Sequence, residues 1–322
     1  MASSNSSKFN KFVQLCYNSK LQQGVGLTDA FEDLQEPFEN CSAVFSSEME
    51  GSYLFSHLPA LWPQIVNFPF ENDTVLVATY PKSGTTWLQH ILHLVTTLDF
   101  NEAQSVRVSV RVPFIELPRI GSNDFLEQVA NRKPCLIKTH LPSHLLPKQW
   151  NKGKIIFVHR NAKDVAVSYF YHSIGVTNGK YKNSFTTFAN DFLQGKVAYG
   201  HYYKHLLGFY RLWQQNQDKI LFLRYEDLKR DLRSNVAKIV EFVGRQLSDE
   251  QIDKITEMST FEAMKSNDAC NITMTKNYEK PIDFVRKGIV GDWRNHFDQQ
   301  LSDQFDKYIR ENLPAELVYE DE

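Results

Sequence analysis

Cysteine is scarce. The four present, Cys16, Cys41, Cys135 and Cys270, are widely scattered and form no CxxC or metal-ligand spacing. That excludes a disulfide framework or a zinc module and points to a reducing compartment. No His/Asp ligand cluster stands out, so no metal is expected. Charge of one sign is also lacking. With 36 basic and 38 acidic residues the formal charge is −2, so the chain carries no overall nucleic-acid footprint. No apolar run approaches the roughly 20 residues of a spanning helix. The start, MASSNSSK, is polar where a secretory leader would be apolar. A soluble cytosolic protein is expected. A Walker A motif is missing too. That pattern places Lys after the second Gly of GxxxxGK[ST], which counts against ordinary Mg-ATP chemistry.

What remains is ordinary globular composition, 42% hydrophobic and 23% charged over 322 residues. It leaves room for one large α/β domain or two small ones. No internal repeat is visible. Residues 1–7 are Ser/Asn-rich and expected to be disordered. Phe9, Phe12, Val13 and Cys16 then share one helical face, fitting a short docked helix. Residues 30–70 show no clear period.

The chain is organised around TVLVATYPKSGTTWLQHILHLVTTL, Thr74–Leu98. Thr74–Tyr80 is a short apolar, β-rich run and reads as a buried strand. Pro81 to Thr86 is a turn. Leu88, Ile91, Leu92 and Val95 then fall at helical spacing. Strand, small-residue loop and helix together make an anion site, because the first N–H groups of a helix lack internal partners and carry the positive end of its dipole. Gly84 admits close approach. Ser83, Thr85 and Thr86 add hydroxyls, and Lys82 adds a full charge.

Three more strands follow: PCLIKTH (Pro134–His140), KIIFVHR (Lys154–Arg160) and KILFLRY (Lys219–Tyr225). Residues 121–133 read as loop. Asn161 is a good N-cap, with Asp164 in the first turn. Ile174–Ser184 reads as loop and Phe185–Trp213 as one or two helices. Asn235–Val243, ended by Gly244, Ser248–Met258 and a C-terminal run with Leu301, Phe305, Ile309 and Leu313 are further helices. Glu262–Gly288 reads as a polar cover over a site. Strands alternating with helices predict a largely parallel sheet. Ligands then bind beyond the carboxyl ends of its strands. Lys82, Lys138, His140, Arg160 and Tyr225 all fall just past predicted strand ends. Arg160 suits a phosphate, with Ser168 nearby. Arg286 and Lys287 beside Gly288 make a second anion nest. Trp87 and Phe261 suit the two faces of a purine. Taken singly, each of these charges reads equally well as solvated surface.

As a set they resemble the cytosolic sulfotransferases. TYPKSGTTW (79–87) is similar to that family's 5′-phosphosulfate loop, RNAKDVAVSY (160–169) to its 3′-phosphate strand–helix, STFEAM (259–264) to its adenosine segment, RKGIVGDW (286–293) to its second signature, and LIKTHLP (136–142) to its active-site strand. The blocks occur in family order from about Asp73 to about His296. The resemblance implies an α/β fold: a single domain with a central parallel sheet flanked by helices, P-loop-kinase-like. Residues 1–35 would be an N-terminal extension and 36–322 the sulfotransferase domain. It further implies transfer from 3′-phosphoadenosine 5′-phosphosulfate (PAPS) to a small lipophilic hydroxyl compound, a phenol, steroid, retinoid or other alcohol. Insect relatives include a retinol-dehydrating enzyme. By position the donor contacts would be Lys82, Ser83, Gly84, Thr85, Thr86, Trp87, Arg160, Ser168, Tyr225, Ser259, Thr260, Phe261, Met264, Phe284, Val285, Arg286, Lys287 and Gly288. His140 would be the general base. Lys82 and Lys138 would stabilise charge, and Ser168 would hold Lys82 back until the acceptor binds. Phe114, Lys138, His140 and Tyr169 would meet the acceptor, with Phe170 and Ile174 as weaker candidates. Asp298 and Gln299 stand where vertebrate relatives carry a Thr-Val dimer contact, so a monomer or a different homodimer is expected. An ATP-dependent kinase or a silent nucleotide-binding protein remains as an alternative.

Overall fold

The structure, a computed structural model, describes Val44–Phe45, Tyr53–Leu54 and residues 58–117, 125–177, 181–272, 274 and 282–318. The expected N-terminal extension and its helical face lie outside these residues. Two short strands, β1 (Val44–Phe45) and β2 (Tyr53–Leu54), pair antiparallel. The main sheet has four parallel strands in the order β4 (Cys135–Thr139), β3 (Thr74–Thr79), β5 (Lys154–His159), β6 (Ile220–Arg224).

These runs are strands because the sheet is covered on both faces, which demands continuous apolar sequence. Successive residues serve opposite cores. Leu76, Ala78, Ile155 and Phe157 join one cluster, and Val75, Val77, Ile156 and Val158 join the other. The first cluster takes in α1 (Leu58–Val66), α6 (Ala162–Val176), α7 (Phe185–Leu193), α8 (Tyr202–Gln215) and α13 (Gln299–Asn312). The second takes in α2 (Thr85–Thr97), α10 (Leu232–Val243) and α11 (Asp249–Met258). Short helices α3 (Phe100–Ser105), α4 (Val108–Arg111), α5 (Phe125–Ala130), α9 (Tyr225–Arg230) and α12 (Phe261–Lys265) complete the described elements. This is the expected single α/β domain around a parallel sheet.

Register decides function. Ala78 pairs with Thr139, Thr79 with Val158, and His159 with Arg224. The residues that follow each strand, Tyr80, His140, Arg160 and Tyr225, therefore emerge along one edge. The chain leaves β3 towards β4 but leaves β5 towards β6. The crevice between β3 and β5 is thus a topological switch point, where such sheets bind ligands.

Some expectations need correction. Residues 121–133 are not all loop, since α5 lies there; at six residues it is too short to show a period, though Phe125, Leu126 and Val129 are buried. Helix α1 was hidden by Pro63 inside it. Helix α6 runs past Ile174 to Val176. Other details agree. Cys135 is buried core. Asn161 caps α6 by accepting from the Lys163 N–H, and Gly244 ends α10 in the left-handed region at φ 76°. Leu301, Phe305, Ile309 and Leu313 are all buried, as a closing helix requires. No described helix is long and apolar enough to cross a membrane.

One charge is buried outright. The Lys163 ammonium, 1% exposed, lies 2.7 Å from the Asp306 carboxylate and 4.1 Å from the centre of the Trp293 ring. It donates to Ser302 Oγ at 2.8 Å. It pins α6 to α13. Removing it leaves Asp306 and Ser302 unpaired; Asp306 is partly solvated, which softens the penalty. Lys163→Ala is expected to lower unfolding free energy by about 2–3 kcal/mol. Denaturant unfolding that shows less than about 0.5 kcal/mol, the usual surface effect, would contradict this.

Candidate functional site

The loop after β3 is built to face an anion. Lys82 sits at φ 70°, a left-handed conformation that is strained for a non-glycine residue. Gly84 sits at φ 113°, and a Cβ there would meet the Tyr225 ring at 2.9 Å. No side chain caps the first turn of α2, so its N–H groups stay available. Thr85 Oγ1 lies 2.6 Å from Thr79 Oγ1, and Thr86 is half-buried beside it. The Ser83 hydroxyl is fully buried and has no partner among the described residues.

Across the switch point, the Arg160 guanidinium stacks on the Tyr225 ring at 4.3 Å. One nitrogen, Nη2, donates to the Ile289 carbonyl at 2.8 Å, and Nε has no partner among the described residues. Ser168 lies two turns along α6, half-buried. No hydrogen bond links it to Lys82. The Lys82 ammonium instead sits 4.1 Å over the Phe284 ring.

Two aspartates arrange the cations. Asp164 accepts from the Gly291 N–H at 2.8 Å and the Trp293 N–H at 3.0 Å. It thereby fastens the 286–293 segment to α6. Asp292 takes Arg286 at 2.5 Å and Lys287 at 2.7 Å. Burial opposes ionisation of Asp292, but hydrogen bonds from Lys287, Arg286 and Asn295 outweigh it and hold the carboxyl well below its usual range. Both cations expected to grip the donor are therefore oriented by one carboxylate.

The expected purine slot also has structure. The Trp87 Nε1–H donates to the Ser259 carbonyl at 2.7 Å, tying α2 to the 259–264 segment. The Phe261 ring lies against the backbone of Gly288, where a Cβ would come within 2.1 Å of it. The Lys229 ammonium is 5.9 Å from the Trp87 ring and 5.8 Å from the Phe261 ring. Ser259 Oγ is buried without a partner. Thr260 caps α12 through the Ala263 N–H, and Met264 is packed in below. The Val285 N–H bonds to Asn271 Oδ1 at 2.9 Å.

Three buried polar atoms thus lack partners within the expected donor set: Ser83 Oγ, Arg160 Nε and Ser259 Oγ. Each such orphan costs about 1–3 kcal/mol. Hydrogen-bond capacity left unused beside four cations fits a polyanionic nucleotide.

The centre of the edge holds Lys82, Lys138 and His140. Burial, with Lys138, Arg160 and Arg286 nearby, pulls Lys82 down to about 7. Burial pulls Lys138 down to about 8, against the opposing pull of Glu116. Burial and then Lys138 hold His140 well below its ordinary value, so its ring is neutral. Its tautomer follows from one contact. His140 Nδ1 lies 2.8 Å from the Thr79 carbonyl, which can only accept, so Nδ1 carries the proton. Nε2 keeps its lone pair and can take a proton. The backbone is held as well. The His140 N–H donates to Glu116 Oε1 at 2.7 Å, and His205 Nε2 lies 3.0 Å from the His140 carbonyl.

Of the expected acceptor residues, Phe114 is at the centre. Its ring is edge-on to His140 at 5.1 Å, and the Lys138 ammonium lies over it at 4.2 Å. Tyr169 is mostly core: its OH donates to the Ala198 carbonyl at 3.0 Å and its ring packs on Tyr80 and Phe188. Phe170 packs among Tyr171, Tyr181, Phe185 and Phe188, and Ile174 packs on Met274 and Ile282; neither has a ring or cluster contact with His140. Sequence reasoning missed Glu116, Tyr199, Asp164 and Asp292 as parts of the site. Tyr199 is edge-on to His140 at 5.4 Å and adopts φ 69°. The GDW signature contained Asp292, and Asp164 was visible only as a first-turn acid.

A separate cleft of about 430 Å³ lies at the opposite, amino-terminal edge of the sheet, lined by Phe70, Glu71, Asn72, Asp73, Lys133 and Lys152. Lys133 already pairs with Glu71 and Asp73 there.

Comparison with known proteins agrees with this geometry. A family model described as "Sulfotransferase domain" matches residues 72–315. Sulfotransferase 1E1 of Cavia porcellus is 38% identical over 282 residues, spanning 85% of this chain and 94% of that protein. Sulfotransferase 1E1 of Homo sapiens is 36% identical over 274 residues, spanning 83% and 92%. Among solved structures, retinol dehydratase in complex with androsterone and the inactive cofactor PAP has a TM-score of 0.74 at 28% identity, covering 84% of this chain and 89% of that one. The same enzyme with retinol and PAP has a TM-score of 0.72 at 28% identity, covering 84% and 90%.

The Gly288 contact generates a prediction. Its φ is 62°, and a Cβ would displace the Phe261 ring. Gly288→Ala is expected to weaken binding of adenosine 3′,5′-bisphosphate at least about tenfold, the effect of misplacing one ring or one anion contact, while thermal stability without ligand changes by only a few degrees. Calorimetric titration that returns wild-type affinity would remove the Phe261–Gly288 wall from the nucleotide site.

Proposed function

This chain belongs to the sulfotransferase family, and we propose that it moves a sulfuryl group from PAPS directly to the hydroxyl of a small lipophilic acceptor, with His140 as general base. It is a PAPS-dependent sulfotransferase. The observation that carries the finer reading is the tautomer lock. The Thr79 carbonyl fixes the proton on Nδ1, so Nε2 of a neutral imidazole meets the edge where Lys82 and Lys138 stand.

The donor, when bound, supplies an activated sulfuryl group on a phosphate leaving group. The chain's own residues do the rest. Arg160, Arg286, Lys287 and the loop from Lys82 to Trp87 bind and orient the nucleotide, and Trp87 and Phe261 flank its base. His140 Nε2 takes the proton from the acceptor hydroxyl as its oxygen attacks sulfur. General-base assistance of this kind is worth about 10²–10⁴-fold. Lys138 and Lys82 face the charge that develops on the sulfuryl oxygens and the leaving phosphate. Burial is the main cause of both depressed pKa values, with neighbouring cations adding to it at Lys82, and a bound dianion favours the charged lysines.

Phe114, edge-on to His140, offers an apolar surface that suits a phenol, steroid or other lipophilic alcohol. The androsterone and retinol held by the solved retinol dehydratases support that class. We further infer a cytosolic enzyme. Asp298 caps α13 by accepting from the Leu301 N–H, a structural role where vertebrate relatives place a dimer contact. That supports a monomer or a different homodimer.

Two outcomes test this reading. His140→Ala should cut kcat by at least about 10²-fold while nucleotide affinity stays within about twofold, and Arg160→Ala should mainly raise the donor KM. A His140→Ala enzyme that loses nucleotide binding instead would overturn the base assignment. The lysines give the second outcome. Their pKa values, about 7 and about 8, rise when an anion binds. Binding of adenosine 3′,5′-bisphosphate should therefore take up little proton at pH 6, where both lysines are already charged, and more between pH 7 and 8. Calorimetry in two buffers of different ionisation enthalpy reads this directly. Proton release across that range would contradict the assignment.

A further inference from the structure

His172 stands near the reaction centre and takes no part in the proposed transfer. It lies on α6 one turn beyond Ser168. Its ring is edge-on to Phe284 at 5.7 Å and 6.3 Å from Tyr169. The same Phe284 ring carries the Lys82 ammonium on its face. Burial, followed by the charges of Lys82 and Lys138, holds His172 well below its ordinary pKa, so the ring is neutral. Its Nδ1 atom is buried and has no partner among the described residues.

A buried imidazole nitrogen without a partner costs about 1–3 kcal/mol. The ring contacts around it are aromatic: Tyr169 and Phe284. None of them hydrogen-bonds to it. It shares the Phe284 ring with the Lys82 ammonium, and its other ring neighbour, Tyr169, is among the expected acceptor residues, so it borders the space the acceptor enters. We propose that His172 is a specificity residue that hydrogen-bonds a second, uncharged oxygen on the acceptor, away from the hydroxyl that is sulfonated. The preferred acceptor is then a bifunctional lipophile, such as a diol or hydroxy-ketone, rather than a simple monohydroxy hydrocarbon. An amine at that second position is disfavoured, because an ammonium would sit beside the cations at Lys82 and Lys138. This rests on the acceptor reading above and deepens it.

The test uses matched acceptor pairs: phenol with catechol, 4-alkylphenols with 4-(hydroxyalkyl)phenols of graded length, and steroid 3-ols with and without a 17-hydroxyl. Wild type, His172→Phe and His172→Asn are compared by kcat/KM with labelled donor. Binding of each acceptor to the adenosine 3′,5′-bisphosphate complex is measured calorimetrically in parallel. Wild type should favour the doubly functional member of at least one pair by about tenfold, the worth of one hydrogen bond to an otherwise unpaired group. His172→Phe should reduce that preference to about twofold or less, while kcat/KM for the monohydroxy partner stays within about threefold and the donor KM is unchanged. His172→Asn, which keeps a polar atom near Nδ1, should restore part of the preference. The proposal is overturned by a wild-type enzyme with no preference in any pair, by a preference that survives in His172→Phe, or by an equal loss for both members. A raised donor KM with acceptor preference intact would also overturn it, placing His172 on the nucleotide. If wild type sulfonates neither member of any pair, the acceptor reading fails on its own. The binding preference and its loss in His172→Phe still decide the role of His172.

Discussion

The structure depends on holding several cations together before their anion arrives. Lys82, Lys138, Arg160 and Arg286 are close enough that the other three depress Lys82, in a site where burial already penalises charge. Like charges gathered this way repel, and the fold meets that in two ways. It sets carboxylates against the cations, Asp164 against Arg160 and Asp292 against Arg286 and Lys287. It also lets the lysines shed protons when no ligand is present. The position of each carboxylate therefore matters beyond its charge. Asp164 spends both oxygens on backbone N–H groups of the 286–293 segment, so the residues that deliver Arg286 are fastened to the helix that follows Arg160. Two stretches far apart in the chain thereby share one rim.

The same economy governs His140. Nothing on the side chain itself equips it for the proposed role of base. The Thr79 carbonyl at the end of β3 chooses its tautomer, Glu116 holds its N–H, and the Phe114 and Tyr199 rings fix its plane. All four come from outside its own strand in sequence; Thr79 reaches it through the parallel register of β3 and β4, and Phe114 and Glu116 through the bridge between Phe114 and Lys138. A one-residue slip in that register would turn Thr139, rather than Lys138 and His140, toward the nucleotide edge.

Much of this was legible in the chain. The four strands were readable because burial on both faces leaves continuous apolar runs, and the strand-end positions of Lys138, His140, Arg160 and Tyr225 followed from that. The loop from Lys82 to Thr86 was readable because its chemistry is local: one Gly, one Lys and three hydroxyls before a helix. Helix α5 was not, since six residues carry too little periodicity. Tyr169 was read as pocket lining from its family resemblance, yet a hydrogen bond to Ala198 commits its polar end to the core. Asp292 was written in the signature segment but its work was not, because a carboxylate that orients two neighbouring cations looks in sequence like ordinary charge balance. His172 lay on the same helical face as Ser168. Its significance comes from Phe284, which no local pattern connects to it.

Strain and missing partners fall in the same place. Two of the described non-glycine residues with positive φ, Lys82 and Tyr199, flank the reaction centre. Each conformation of this kind costs about 1–3 kcal/mol. Ser83, Arg160 and Ser259 add buried atoms without partners. None of these features helps the fold; in the assigned arrangement Lys82, Ser83, Arg160 and Ser259 are donor contacts, and Tyr199 sits against His140. The strained backbone aims Lys82, and the orphan hydroxyls are donors held ready for oxygen atoms that the protein itself does not supply. Stability has been given up at the carboxyl edge of the sheet, while the opposite edge pairs its charges, as Lys133 does with Glu71 and Asp73. That asymmetry is a physical mark of a site, and it singles out the same residues as the chemistry does.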